Sequence, residues 1–293
     1  MCGSRRKFLE RTAESYRKVR NTLRFLLANL GDFDPRRHRV PLDQLTELDR
    51  WMWTRYQQLL AEVTEAYETL QFSRVVRAIN TFCVVDLSSM YLDALKDGLY
   101  TEAPNAPQRR SAQTVLSDMV VGLLTVLAPI LSFTADEAWE HLTAREEREP
   151  SVHLARWPRL AALHEEPSAR ERWERILSVR AEVLKALEAA RSAELIGGAL
   201  EAQVTIAARS DDELRQLTAD QELVTILTIV SGLEVVSAGD GPRVKIQRAK
   251  GRKCLRCWMF RESVGRDATH PELCDRCVTV IGAIHDQTRT PRL

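Results

Sequence analysis

Residues 45–94 read LTELDRWMWTRYQQLLAEVTEAYETLQFSRVVRAINTFCVVDLSSMYLDA. Leu45, Leu48, Met52, Tyr56, Leu59, Val63, Ala66 and Leu70 recur at three- and four-residue steps, which puts them on one side of a helix. Phe72, Val76, Ile79, Cys83, Leu87, Met90 and Ala94 form a second stripe of the same kind. Two long amphipathic helices with so short a break predict an antiparallel bundle. Upstream, Tyr16, Val19, Leu23, Leu26 and Leu30 mark another helix, with Gly31 as its C-cap. The segment containing Asp34-Pro35 and Pro41 reads as a loop. Downstream, Pro104 and Pro107 break the chain before an apolar helix that ends near Pro129, and a further helix covers Thr134 to Thr143.

Beyond a charged break at Arg145 to Pro150, Ser151 to Pro158 reads as a connector and Pro167 as another interruption. Ile176, Val179, Val183, Leu187 and Ala190 mark one more helix. After Gly197-Gly198 the pattern changes: Ala202 to Ala207 and Leu233 to Val236 are short β-prone runs, and Val244 and Ile246 alternate with charged residues. The expected fold is therefore mainly α: a helical bundle over 1–160, a small α+β unit over 161–248 and a terminal cysteine segment over 249–293. There is no internal repeat and no low-complexity tract.

The chain has 293 residues, 44% hydrophobic and 28% charged, with a formal net charge of +1. It can bury a real core, and any surface for a polyanion has to come from local clustering of Arg and Lys. Arg5, Arg6 and Lys7 lead into an amphipathic pattern without the apolar run of a secretory signal. The stretch Met119 to Leu131 is shorter than the ~20 residues a span needs, so a soluble chain with no membrane partner is expected. Four of the six cysteines form two pairs, Cys254-x-x-Cys257 and Cys274-x-x-Cys277, with sixteen residues between them. A two-residue gap lets both thiolates of a pair face one ion, and two pairs complete a tetrahedron, so this spacing points to one structural Zn2+. His270 lies between the pairs, either as a replacement ligand or as a loop residue. Lys253, Arg256, Arg261, Arg266 and Arg276 outnumber the acids around the ligands. Trp258 either offers a stacking face to an unpaired base or fills the small core behind the metal.

The sequence contains no GxxxxGK[ST] or GxGxxG loop, no G-x-S-x-G elbow and no H-E-x-x-H pair. Asp136-Glu137 reads as a solvated helix face or a first turn, and Ser88-Ser89 beside Asp86 forms no triad.

Tyr16-Arg17-Lys18-Val19-Arg20-Asn21-Thr22-Leu23-Arg24-Phe25-Leu26-Leu27 resembles the start of the anticodon-binding helical domain of bacterial-type isoleucyl-tRNA synthetases. Tyr91-Leu92-Asp93, Lys96-Asp97, Leu99-Tyr100 and Arg109-Arg110-Ser111-Ala112-Gln113 are similar to the same domain further along. So are Ala128-Pro129-Ile130 and Phe133-Thr134-Ala135-Asp136-Glu137-Ala138-Trp139, and the connector Ser151-Val152-His153-Leu154 with Trp157-Pro158. The cysteine segment resembles that family's terminal zinc finger. The motifs run in the family's order over nearly the whole chain. The helical parts are shared with valyl and leucyl relatives, and it is the finger that favours isoleucine.

The resemblance implies the class I synthetase type of helical bundle, a cytoplasmic monomer and an isoleucine tRNA as partner. The family's HIGH-like and KMSKS-like motifs, its ATP chemistry and its editing domain are not in this sequence, so ATP belongs to the complete enzyme and this chain is expected to be inactive alone. That implies a truncated fragment or one subunit of a split ligase with a separate catalytic polypeptide; a stand-alone RNA-binding module is the other reading. A similar finger occurs in formamidopyrimidine-DNA glycosylases, but these use an N-terminal proline, whereas this chain begins Met1-Cys2-Gly3. Candidate tRNA contacts are Arg17, Arg20, Arg24, Lys250, Arg252, Lys253, Arg256 and Trp258; for each basic residue the alternative is a solvated face. Arg256→Ala and Trp258→Ala are expected to weaken tRNA binding with zinc content unchanged, and equal affinity in a filter-binding titration would remove both residues from the site.

Overall fold

The structure, a computed structural model, describes residues 2–142, 148–161, 167–237, 239 and 241–289. It divides into two compact units, Met1–Leu163 and His164–Leu293; the cysteine segment falls within the second.

The first unit is helical. Helix α1 (Cys2–Ala28) buries Val19, Leu23 and Leu26. The Asp34-Pro35 segment, expected as a loop, opens the one-turn helix α2 (Pro35–His38). Asp34 accepts the Arg36 N–H at 3.0 Å, and Pro35 occupies the first turn, where a missing N–H costs nothing. Helix α3 (Glu47–Glu68) starts at Thr46, whose hydroxyl accepts the Asp49 N–H at 3.2 Å. Its expected stripe from Leu45 to Ala66 is buried, but Leu70 is not: it sits at φ 56° in the turn that ends the helix and is 73% exposed.

A continuous rod follows, α4 (Phe72–Thr81), a π-helical stretch (Phe82–Tyr91) and α5 (Leu92–Thr101). Val75, Ile79, Cys83, Leu87, Tyr91 and Leu95 form a buried row at four-residue steps, with Phe82, Met90, Leu92 and Ala94 buried beside it. On a 3.6-residue helix such a repeat drifts by about 40° per step. The wider winding of the π stretch holds these residues on the core side. Phe72 and Val76, expected in the stripe, are consequently exposed. Phe72–Thr101 is the one helix among the described residues long and apolar enough to cross a membrane, yet half of its most apolar window is buried in the unit.

Helix α6 (Pro107–Leu127) is the centre of the bundle, with Val115, Leu116, Met119, Val120, Leu123 and Leu124 fully enclosed. Each such side chain contributes about 1.5–3 kcal/mol by leaving water. Gly122 is there for Tyr56: a Cβ would collide with the Tyr56 hydroxyl, which donates to the Asp118 carbonyl at 3.1 Å. Helix α7 (Ser132–Glu140) is shorter than expected, and Thr143 lies outside the described residues, as do 145–147 of the charged break. Asp136 and Glu137 are structural. Asp136 accepts from the Ser151 hydroxyl at 2.6 Å, and Glu137 forms a two-pronged pair with Arg20 at 2.8 and 2.9 Å.

In the second unit, Pro167 is the first residue of α8 (Pro167–Ser192), whose stripe Ile176, Val179, Val183, Leu187 and Ala190 is buried as expected. A three-stranded sheet of order β2-β1-β3 uses β1 (Ala202–Ala207), β2 (Gly232–Val236) and β3 (Val244–Arg248), with β1 parallel to β2 and antiparallel to β3. Between β1 and β2 lie α9 (Asp211–Ala219) and α10 (Gln221–Thr228).

Asp49 is the most constrained charge of the bundle. Tyr91 donates to it at 2.6 Å, Ser111 at 2.5 Å and Thr46 at 2.7 Å, yet its burial dominates and raises its pKa. A raised folded-state pKa stabilises the fold below the unfolded value of about 3.9 and loses that contribution as pH rises through the folded value. The stability of the wild-type chain relative to Asp49→Asn is therefore expected to fall as pH rises above about 4 in urea titrations; a pH-independent difference would contradict it.

Candidate metal centre

The short hairpin of β4 (Arg252–Lys253) and β5 (Phe260–Arg261) pairs Arg252 with Arg261 and Lys253 with Phe260. The turn between them holds the first cysteine pair. The Cys254 N–H donates to the Met259 carbonyl and the Trp258 N–H to the Cys254 carbonyl, both at 2.9 Å. Trp258 closes this knuckle at φ 65°. Gly251, at φ 88°, precedes it where a Cβ would run into the Arg261 backbone, so the hairpin closes only around a glycine.

The second pair sits at the start of α11 (Asp275–Arg289): Cys274 precedes the helix and Cys277 lies in its first turn. Ser263 donates to the Asp275 carboxylate at 2.8 Å and accepts the Asp275 N–H at 3.3 Å, fastening the helix to the hairpin loop. The Leu255 N–H donates to the Glu272 carbonyl at 3.1 Å, joining the two knuckles.

The four Sγ atoms of Cys254, Cys257, Cys274 and Cys277 lie within 4.8 Å of one another and are all buried. Cys257 and Cys274 sulfurs are 3.8 Å apart, which matches the edge of about 3.8 Å that a tetrahedron with ~2.3 Å Zn–S bonds requires. The donor set and its spacing fit one Zn2+. With all four positions filled by protein, the ion is structural. Among the described residues, Val264, Met259 and Leu273 pack around the cysteines, too few to hold the segment by apolar burial.

Burial pushes the Cys257 and Cys277 thiols up. At Cys254 burial also raises the pKa, but N–H donors from Cys257, Cys274 and Arg256 outweigh it and bring the thiol down to about 6. A cation at this point would replace the protons of the other thiols. His270 stands outside the cluster, its N–H bonded to Asp267 at 2.7 Å.

The basic and aromatic candidates fall into different settings. Trp258 is 60% exposed, which excludes it from the core behind the metal. Lys253 Nζ lies 5.3 Å from the centre of its ring, a cation–π contact that orients the ring. Lys250 is exposed, and Arg252 donates to the Val264 carbonyl at 2.9 Å. Arg256 donates to the Cys277 sulfur at 3.8 Å, so it touches a metal ligand and its substitution is expected to disturb the metal as well. In the other unit, Arg20 is paired with Glu137, Arg17 donates to the Ala13 carbonyl at 3.3 Å and Arg24 is exposed. Gly251 and Ser263 are structurally required for this centre, and the sequence reading passed over both; a glycine just ahead of a Cys-x-x-Cys was the available signal for the first.

Residues 49–206 match the family model "Anticodon-binding domain of tRNA ligase", and residues 251–280 match "Zinc finger found in FPG and IleRS". The chain is 43% identical over 286 residues to an isoleucine–tRNA ligase of Moorella thermoacetica, covering 93% of this chain and 31% of that protein. A namesake from Carboxydothermus hydrogenoformans is 42% identical over 289 residues, covering 97% of this chain and 31% of its own. One from Kosmotoga olearia is 40% identical over 281 residues, with 93% and 30% covered. The chain thus spans less than a third of the length of these curated relatives.

Zinc in such a segment contributes on the order of 10–16 kcal/mol to its folding. Chelation, or Cys257→Ser, is expected to remove one equivalent of zinc and to abolish amide-exchange protection over 251–280 while α6 stays protected. Finger amides that remain protected without metal would show that the ion is dispensable.

Proposed function

We propose that this chain, which belongs to the family of tRNA-ligase anticodon-binding domains, binds tRNA by its anticodon arm and reads unpaired anticodon bases with its zinc finger. The observation that carries this is the exposed Trp258 ring, fixed by its knuckle and flanked by Lys253. Unpaired bases are held by stacking on such aromatic faces and by hydrogen bonds to their edges. Basic residues around the knuckle would hold phosphates and set the register, while base contacts set identity.

The name shared by the relatives supports an isoleucine tRNA as the partner. In a complete ligase, the attachment of isoleucine with ATP would be performed by further sequence or by a separate catalytic polypeptide. This chain would supply recognition, as a cytoplasmic monomer. Binding energy of this kind serves catalysis by placing the distant acceptor end.

The test is a titration of the zinc-loaded chain with isoleucine tRNA and a non-cognate tRNA at two salt concentrations. The expected result is a preference for the isoleucine tRNA with affinity falling as salt rises. Equal weak binding to both would leave only a general RNA-binding module. Trp258→Ala is expected to weaken cognate binding by about 1–3 kcal/mol, the usual worth of one stacked base, with zinc content unchanged. Unchanged affinity would remove the stacking contact.

A further inference from the structure

The first unit carries a cleft of about 420 Å³ between α3, α6 and the strap of residues 148–161, a size within the range that ligand sites occupy. The strap is held at several points. The Trp139 indole donates to the Glu149 carbonyl at 2.9 Å, the Trp157 indole to the Thr64 hydroxyl at 2.9 Å, and the Ala161 N–H to the Gln57 side chain at 3.0 Å. Side chains projecting from it are therefore presented from a fixed backbone.

Among the described residues, four arginines line the cleft, Arg39, Arg148, Arg156 and Arg159, against one acid, Asp118. Asp118 is already bound by Arg39 at 2.6 and 2.8 Å. Arg156 and Arg159 are exposed and make no ion pair among the described residues. Arg148 stacks over Trp139, 5.9 Å from the ring centre, and its Nη1 is buried with no acceptor. A buried guanidinium donor without a partner costs free energy that an incoming oxyanion would recover. Burial also lowers its pKa, a penalty that an adjacent anion opposes. The half-buried ring of Trp53 lines the same cleft.

We propose that this cleft is a second RNA subsite, which takes one or two backbone phosphates on Arg148, Arg156 and Arg159 and a base against Trp53. An acidic peptide would satisfy the arginines equally well; the aromatic lining favours a nucleotide. The proposal rests on the tRNA-binding reading above but concerns different residues, so the two can fail separately.

The experiment uses the full zinc-loaded chain. The Trp53 indole resonance, assigned by its loss in Trp53→Phe, is followed by NMR during titration with a 5′-phosphorylated diribonucleotide. The same chain is titrated with tRNA over a range of salt. Arg156→Gln/Arg159→Gln is the variant, because both residues are exposed and neither forms an ion pair among the described residues. Thermal unfolding controls for its integrity.

The expected result is a Trp53 shift with the diribonucleotide that the variant loses, and weaker tRNA binding with a salt slope smaller by about 0.7 per phosphate contact removed. Wild-type and variant chains with the same tRNA affinity and slope, together with a silent Trp53, would overturn the subsite while leaving the finger's role intact. A glutamate-rich peptide that shifts Trp53 as strongly as RNA would overturn the assignment to RNA. A Trp53 shift in a chain that binds no tRNA would support a nucleotide cleft and overturn the function proposed for the whole chain.

Discussion

Four sulfur atoms within 4.8 Å of one another are the tightest constraint in this molecule. As neutral thiols they would bring little cohesion, and as thiolates they would repel. One divalent cation turns the repulsion into the main force holding 251–280, because the segment has few apolar residues of its own. The hairpin, the knuckle and the first turn of α11 all take their positions from this centre. So does Trp258: a large aromatic ring at positive φ in water is an unfavourable arrangement for an isolated peptide, and the knuckle imposes it. The link to the sheet above runs through Ser231, whose hydroxyl accepts the Phe260 N–H at 2.8 Å.

The bundle depends on a weaker, distributed form of specificity. Its helices were legible because their apolar residues recur at helical spacing, and the α3 stripe is buried nearly as the pattern requires, as is that of α8 in the second unit. The rod was legible as a helix and, from Ile79 to Ala94, in its buried side; Phe72 and Val76 at its start are exposed. A reading at mixed three- and four-residue steps selects Phe72 and Val76, whereas one buried row repeats in fours from Val75 to Leu95, with Phe82, Met90 and Ala94 buried beside it. That strict repeat was itself a signal for wider winding. Helices α9 and α10 left a signal too: Ser210 caps α9 and Glu213 reaches back to the Arg209 N–H, the Ser-x-x-Glu pattern of a helix start. Leu70 in its left-handed turn, by contrast, had no signature in residue type.

At the site, the metal ligands were legible because tetrahedral coordination by pairs leaves a mark in spacing alone. The polyanion contacts were not, since an arginine in sequence carries no record of its partner. Arg20 illustrates the difficulty. It lies in the first segment that resembles the family, yet its guanidinium forms a two-pronged pair with Glu137. Arg256 is likewise turned to Cys277. Of the strap arginines, Arg148 falls in the charged break and Arg156 in the connector as read from the sequence, since nothing in Ser151 to Pro158 announces that it closes over α3.

This explains why a net charge of +1 says so little about partners. The acids of the first unit are largely committed to holding it together: Asp118 to Arg39, Asp86 to Arg55, Asp32 to Arg109 and Glu137 to Arg20. Each pair cancels in the sum and is nearly silent in the field outside. What a polyanion meets is the remainder, and in the cleft that remainder is positive, because Arg156 and Arg159 have no ion-pair partner among the described residues. Electrostatic recognition depends on where compensation fails. That location is set by tertiary packing, through the pinned strap and the half-buried Arg148, and not by composition.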